Sequence, residues 1–157
     1  YSDKEIVAGL ASVKTVGRRL RIVKLASGLT LIDDCYNANP SSMSAALLTL
    51  KAMAQGEGRR AVAVLGDMLE LGTIETDSHR ELGREAVRAG AALLAFFGPR
   101  GKHGAEAARA AGFAVPFHTE DMEALIGWAK KSLGQKDVVL VKGSRGMKLE
   151  RLVEALQ

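Results

Sequence analysis

The chain predicts an α/β fold: a doubly wound, mostly parallel sheet of about six strands, helices on both faces, and an antiparallel edge hairpin at its start. Three features carry that expectation. Short, wholly apolar runs recur at Ala61–Leu65, Ala92–Phe97 and Val138–Val141. Runs of this length with no polar face are strands buried on both sides, as in parallel sheets. Stretches of helical periodicity closed by glycine (Gly56, Gly90 and Gly112) separate them, which is the βαβ rhythm. Before them, Leu20, Ile22, Val23 and Leu25 alternate with basic residues and Ser27-Gly28 turns the chain, which reads as a hairpin. Right-handed crossovers make such a layer Rossmann-like.

The elements follow in order. Ser2-Asp3-Lys4-Glu5 is a capping box and predicts a helix over 3–14, broken by Gly17. Strands follow over 20–25 and 29–33. Asn39 caps, and Pro40 opens, a helix through Met53. A strand over 61–65, a helix over 74–89, a strand over 92–97 and a helix over 102–111 come next. Ala114–Phe117 reads as a short strand whose Pro116 suits an edge or a strand end. Thr119 is expected to cap a helix through Leu133. Strand 138–141 and helix 147–156 close the chain.

The 157 residues are one domain's worth. Hydrophobic residues make up 47%, but only one Trp, two Tyr and four Phe are among them, so Ala, Val, Leu and Ile build the core. The net charge of +4 is scattered, and aromatics for base stacking are few, which argues against a nucleic-acid partner. No apolar run approaches the roughly 20 residues that span a bilayer, so no membrane partner is expected. No secretory signal is visible. A lone Cys35 excludes an internal disulfide and fits a reducing, cytoplasmic setting; it reads as a small buried residue. The chain begins at Tyr1-Ser2-Asp3 without an initiator Met, as a fragment does.

Three strand ends release polar sequence from an apolar run: Asp33-Asp34-Cys35-Tyr36-Asn37-Ala38-Asn39, Gly66-Asp67-Met68-Leu69-Glu70-Leu71-Gly72 and Lys142-Gly143-Ser144-Arg145-Gly146. A fourth, Gly98-Pro99-Arg100-Gly101, is more turn-like. In a parallel sheet all four lie along one edge, where ligands bind. A carboxylate such as Asp34 at a strand end accepts hydrogen bonds from ribose hydroxyls, and Asn37 and Asn39 offer donors and acceptors. Asp33, Asn37 and Asn39 also serve simply to cap the helix and shape the turn. Asp67 is suited to positioning a cation, an amine or a neighbouring loop, or to forming a turn. Lys142, Ser144 and Arg145 lack phosphate-loop spacing, but two cations, a hydroxyl and small residues before a helix make an anion site, if not merely a solvated basic turn. His79, His103 and His118 have no metal-ligand spacing with one another or with Cys35, so no metal site is expected. Neither a nucleophile elbow nor a dinucleotide-binding glycine pattern is present.

Together Ile32-Asp-Asp-Cys-Tyr-Asn-Ala-Asn-Pro-Ser-Ser-Met43, Val64-Leu-Gly-Asp-Met-Leu-Glu-Leu-Gly72 with His79 behind it, and Val141-Lys-Gly-Ser-Arg-Gly146 resemble the Mur ligases of bacterial peptidoglycan synthesis. Within that family they resemble the branch that joins D-alanyl-D-alanine to UDP-N-acetylmuramoyl-tripeptide. Gly17-Arg18-Arg19-Leu20 is similar to the start of the family's third domain. The resemblance implies a three-domain ATP-dependent amide ligase of the cytoplasm. Residues 17–157 would be its carboxy-terminal domain and residues 1–16 the end of the central domain. ATP and Mg²⁺ are implied, the Mg²⁺ ligands lying mainly in the central domain. No catalytic residue is expected in this stretch, which alone would be inactive. By family position Asp34 would hold the ATP ribose, and Tyr36, Asn37 and Asn39 would border the nucleotide and its phosphates. Tyr36 stands where some sister ligases carry a Lys. Ser144, with Lys142 and Arg145, would face the dipeptide carboxylate; Asp67 and His79 would lie near the site. The alternatives are a stand-alone Rossmann-like nucleotide-binding module, or the carboxy-terminal domain of another Mur or folylpolyglutamate-type ligase.

Overall fold

The structure, a computed structural model, describes residues 17–157. The helix expected over 3–14 and the domain boundary at residue 16 lie outside the described residues. The elements are β1 (Arg21–Lys24), β2 (Thr30–Asp34), α1 (Pro40–Gly56), β3 (Arg60–Gly66), α2 (Glu75–Arg88), β4 (Leu93–Phe97), α3 (Gly101–Ala110), β5 (Phe117–Thr119), α4 (Met122–Ser132), β6 (Asp137–Lys142) and α5 (Glu150–Leu156). One sheet runs β1-β2-β6-β3-β4-β5. β1 is antiparallel to β2, and every other pairing is parallel.

Period-two alternation divides the strand residues between two cores. Ile32, Ala63, Leu65, Leu94, Phe96 and Leu140 pack beneath α1, α2 and α3. Leu31, Val62, Val64, Ala95, Val139 and Val141 pack beneath α4 and α5. Handedness decides which helix takes which face. From β2 to β5 the chain steps in one direction across the sheet, so right-handed crossovers place α1 to α3 together. The return from β5 to β6 reverses direction and puts α4 opposite. β6 therefore enters between β2 and β3 and leaves toward the other face, which opens a crevice at its carboxyl end.

α2 and α3 touch backbone to backbone. A Cβ added at Gly83 would sit 2.1 Å from the Gly104 carbonyl oxygen, and one added at Gly104 would sit 2.6 Å from the Phe96 ring. Only hydrogen at both positions allows this approach.

Three expectations need correcting. The fifth strand is Phe117–Thr119 instead of 114–117: Pro116 has no N–H to give a ladder, and Phe117–Thr119 pair with Ala95–Phe97. Thr119 therefore ends β5 instead of capping α4. The cap is Asp121, whose carboxylate accepts from the Glu123 N–H at 2.8 Å, while Thr119 Oγ1 accepts from the Asp121 N–H. The last helix begins at Glu150 instead of 147, because Arg145–Met147 form a 3₁₀ turn ended by left-handed Lys148 (φ 52°). No described helix is long and apolar enough to cross a membrane.

Candidate functional site

Asp34 and Lys142 end β2 and β6 as register partners. Lys142 Nζ donates to Asp34 Oδ2 at 2.7 Å and to the Asn37 carbonyl at 2.9 Å. The Lys142 side chain is 2% exposed and that of Asp34 13%. The other Asp34 oxygen accepts the Leu20 N–H at 3.0 Å. Lys142 is thus a buried counter-charge to Asp34. A depression of about 270 Å³ opens over this pair, lined by Arg19, Asp34, Asn37, Asn39, Ser42 and Lys142.

The turn into α1 sets the rest of the loop. Asn39 is the N-cap: its side-chain oxygen accepts from the Ser42 N–H at 2.9 Å and from Ser41 Oγ, and Ser42 Oγ accepts from the Asn39 N–H. Among the described residues its amide NH₂ has no partner. Asn37 is exposed, and its Oδ1 accepts the Ala38 N–H. Tyr36 is exposed too, with the Arg19 guanidinium 4.5 Å and that of Arg145 5.2 Å from its ring centre. All of these surround the amino end of α1, where unpaired N–H groups favour negative charge.

Asp33 and Cys35 point to the opposite face of β2. The Cys35 thiol donates to Asp33 Oδ1 at 2.8 Å, and Arg18 lies 3.5 Å from Asp33 Oδ2 while pairing with Glu154. Burial first, then the Asp33 carboxylate, pushes the thiol up to about 12. The reading of Cys35 as a buried structural residue holds for the geometry. Native protein at mildly alkaline pH should therefore react with iodoacetamide only as fast as it unfolds, because the thiolate is the nucleophile. Mass spectrometry should find prompt alkylation in denaturant; equally prompt alkylation of native protein would contradict the buried thiol.

The second loop is organised by Asp67, which is fully buried at the end of β3. Its carbonyl accepts the Ser144 N–H at 3.0 Å, its N–H donates to the Phe97 carbonyl, and its Oδ2 accepts the Arg100 N–H at 3.2 Å. The Asp67 backbone thereby ties the end of β3 to those of β4 and β6, and its carboxylate holds the loop after β4. Gly98 (φ +111°) leaves it room: a Cβ there would lie 2.6 Å from the carboxyl carbon. His79 lies 3.9 Å from Asp67 Oδ1, but the two are not an ion pair. His79 Nε2 accepts the Met68 N–H at 3.0 Å, and Nδ1 faces the Glu75 carbonyl at 2.7 Å. One acceptor and one donor describe a neutral ring protonated on Nδ1. Ser144, 5% exposed, accepts the Leu69 N–H on Oγ at 2.9 Å and retains its own proton to donate.

Burial raises the Asp67 carboxyl above its ordinary 3.8, against the pull of the Arg100 and Gly101 backbone N–H groups. A carboxyl raised on folding adds stability below 3.8 that disappears as pH climbs through the higher folded value. Asp67→Asn keeps an oxygen for Arg100 and removes the ionisation. The difference in Tm between variant and wild type should shift in the variant's favour from pH 4 to pH 7. Parallel curves in a calorimetric pH series would contradict it.

The sheet thus brings Asp34, Tyr36, Asn37, Asn39, Lys142 and Arg145 to one rim, with Ser144, Asp67 and His79 buried beneath it. Sequence reasoning missed Arg19 as a site residue. It precedes the hairpin, and nothing in its local pattern marks it as part of a loop more than ten residues later. Among the described residues no group of three or more His, Cys, Asp or Glu could hold a metal.

Comparison with known proteins bears on the family and the fold. The family model described as "Mur ligase, glutamate ligase domain" matches residues 18–145. A UDP-N-acetylmuramoyl-tripeptide–D-alanyl-D-alanine ligase of Escherichia coli strain K12 is 40% identical over 154 residues, covering 97% of this chain and 32% of that protein. A crystal structure of MurF from Acinetobacter baumannii superposes with a TM-score of 0.81 at 30% identity, over 99% of this chain and 34% of that one. MurF from Thermotoga maritima in complex with ADP gives 0.75 at 26% identity, over 95% and 32%. The chain spans about a third of the length of the curated relatives it matches. With the fold, the three strand-end motifs and the family match in agreement, this chain belongs to the Mur ligase family.

Proposed function

We propose that this chain is the carboxy-terminal domain of an ATP-dependent ligase that joins D-alanyl-D-alanine to UDP-N-acetylmuramoyl-tripeptide in the cytoplasm. The observation that carries the reading is Asp34, set at the sheet's switch point, facing a depression with Asn37 and Asn39 and backed by Lys142. Relatives bearing that activity in their names are 37% and 40% identical.

In this reading Asp34 takes the ribose hydroxyls of ATP, and Lys142 acts through Asp34 by fixing its rotamer and charge. Tyr36, Asn37 and the free amide of Asn39 border the nucleotide. Ser144 donates its remaining proton to the dipeptide carboxylate, and exposed Arg145 supplies charge beside it. Asp67 and His79 hold the loops that present them. ATP turns the tripeptide carboxylate into an acyl phosphate, which the dipeptide amine then attacks; positioning and exclusion of water dominate such chemistry. Mg²⁺ would be held mainly by the rest of the polypeptide, and residues 1–16 would finish its central domain.

The test is made on the longer polypeptide that contains this chain. Phosphate release should require ATP, UDP-N-acetylmuramoyl-tripeptide and D-alanyl-D-alanine together, while the 157-residue chain alone binds ADP weakly and releases none. Ser144→Ala should raise KM for the dipeptide more than for ATP. ATP turnover indifferent to the dipeptide would overturn the proposal.

A further inference from the structure

His79 is 1% exposed and holds two hydrogen bonds that only one protonation state allows. Its Nδ1 gives a proton to the Glu75 carbonyl at 2.7 Å, and its Nε2 accepts the Met68 N–H at 3.0 Å. The next amide, that of Leu69, donates to Ser144 Oγ at 2.9 Å. An oxygen that accepts from the loop turns its own proton elsewhere, toward a ligand. Two consecutive N–H groups thus link the ring to the hydroxyl, hinged only at the fully buried Met68. Asp67 Oδ1 lies 3.9 Å from His79 Nε2 and is buried without a hydrogen-bond partner. A neutral ring has no proton on Nε2 to offer it. A second proton there would end the Met68 contact and find Asp67 Oδ1 waiting. Among the described residues, Asp67 faces the ring from the end of β3. Arg100, from the loop after β4, stands between Asp67 and the Glu75 carboxylate. α3 meets the His79 backbone with Gly104, which brings no charge.

We propose that neutral His79 is a positioning residue for Ser144. Through the Met68 and Leu69 amides it aims the hydroxyl proton offered to the dipeptide carboxylate, and a proton on Nε2 switches that setting off. The assignment rests on the proposed function, in which Ser144 receives the dipeptide. It adds the state of the ring that this reception requires.

Two readouts test it. First, amide hydrogen exchange at Met68 and Leu69 is followed by NMR in the 157-residue chain, without substrate. Both amides should be protected in wild type. Ser144→Ala should speed exchange at Leu69 and leave Met68 slow. His79→Leu should speed it at both by about tenfold, the loss of one hydrogen bond at each. His79→Gln, whose side-chain oxygen can stand near the Nε2 position, should restore much of the protection. Corrected for intrinsic rates, acidification should move wild type toward the His79→Leu pattern and leave His79→Gln unmoved. Should His79→Leu fail to fold, that contrast between wild type and His79→Gln still decides. Leu69 protection unchanged in folded His79→Leu, or equal acid responses of wild type and His79→Gln, overturns the proposal. Second, in the full-length protein His79→Leu should raise KM for D-alanyl-D-alanine about tenfold with KM for ATP nearly kept. Acidification should lower kcat/KM for the dipeptide in wild type more than in His79→Gln. Identical acid limbs in an active enzyme overturn the switch and leave the proposed function standing. A full-length protein that fails to ligate, while exchange shows the link, overturns the function and leaves the hold of His79 on Ser144.

Discussion

Gly83→Ala should lower the Tm of this chain by about 10 °C, although the same change in an ordinary helix interior stabilises by about 1 kcal/mol. The reason is the contact of α2 with α3. A methyl group at Gly83 would lie 2.1 Å from Gly104 O, 2.9 Å from Gly104 C and 3.1 Å from Ala108 N. These are backbone atoms, so no side chain can swing aside, and the helices must separate. Overpacking of this kind costs about 1–3 kcal/mol and more where backbone has to move. Gly127, inside α4 with nothing within 4 Å, is the control. Gly127→Ala should raise Tm slightly. Thermal melts of the two variants should move in opposite directions, and a shared upward shift would refute the close helix crossing.

Asp34→Ala should cost about 3–5 kcal/mol, the usual result of leaving one partner of a buried ion pair behind. The ammonium of Lys142 would keep only the Asn37 carbonyl at 2% exposure. Lys142→Met should cost less, because the Asp34 carboxylate retains the Leu20 N–H and some access to water. The double variant should recover part of the Asp34→Ala loss, since no orphaned charge remains. Urea denaturation of the four proteins closes the cycle; strictly additive losses would mean the two groups do not interact. The result also governs the reading of any kinetics, because an Asp34→Ala enzyme loses stability as well as its proposed ribose contact. Asp34→Asn, which keeps an acceptor, is the better probe of nucleotide use.

The layer architecture was legible because its cause is local. A strand covered on both faces must be apolar throughout, and Ala61–Leu65 and Val138–Val141 are. The three strand-end motifs were legible for the same reason, since polar residues directly after such a run have to emerge at the sheet edge. Lys142 shows where linear reading stops. Beside Gly143 and Ser144 it looks like a free cation, and only the register of β6 against β2, a separation of 108 residues, puts Asp34 on it. Thr119 was misread because it and Asp121 are equally good caps by type; strand pairing claims the first and leaves the second. Arg19 was read only as part of the domain's opening motif and not as a site residue, since its partner ring is reached only through the hairpin.

The short stretch before β1 is stitched to the rim in several places. Leu20, held at a left-handed φ of 50°, gives its N–H to Asp34; Arg18 takes the Tyr36 N–H on its carbonyl and reaches Asp33 and Glu154 with its side chain. The carboxylate proposed to greet the sugar is therefore also the peg on which the approaching backbone hangs. Any tug on that backbone arrives at Asp34 one hydrogen bond later, and any change of partner at Asp34 slackens the tether, so reach and grip are worked by the same rein.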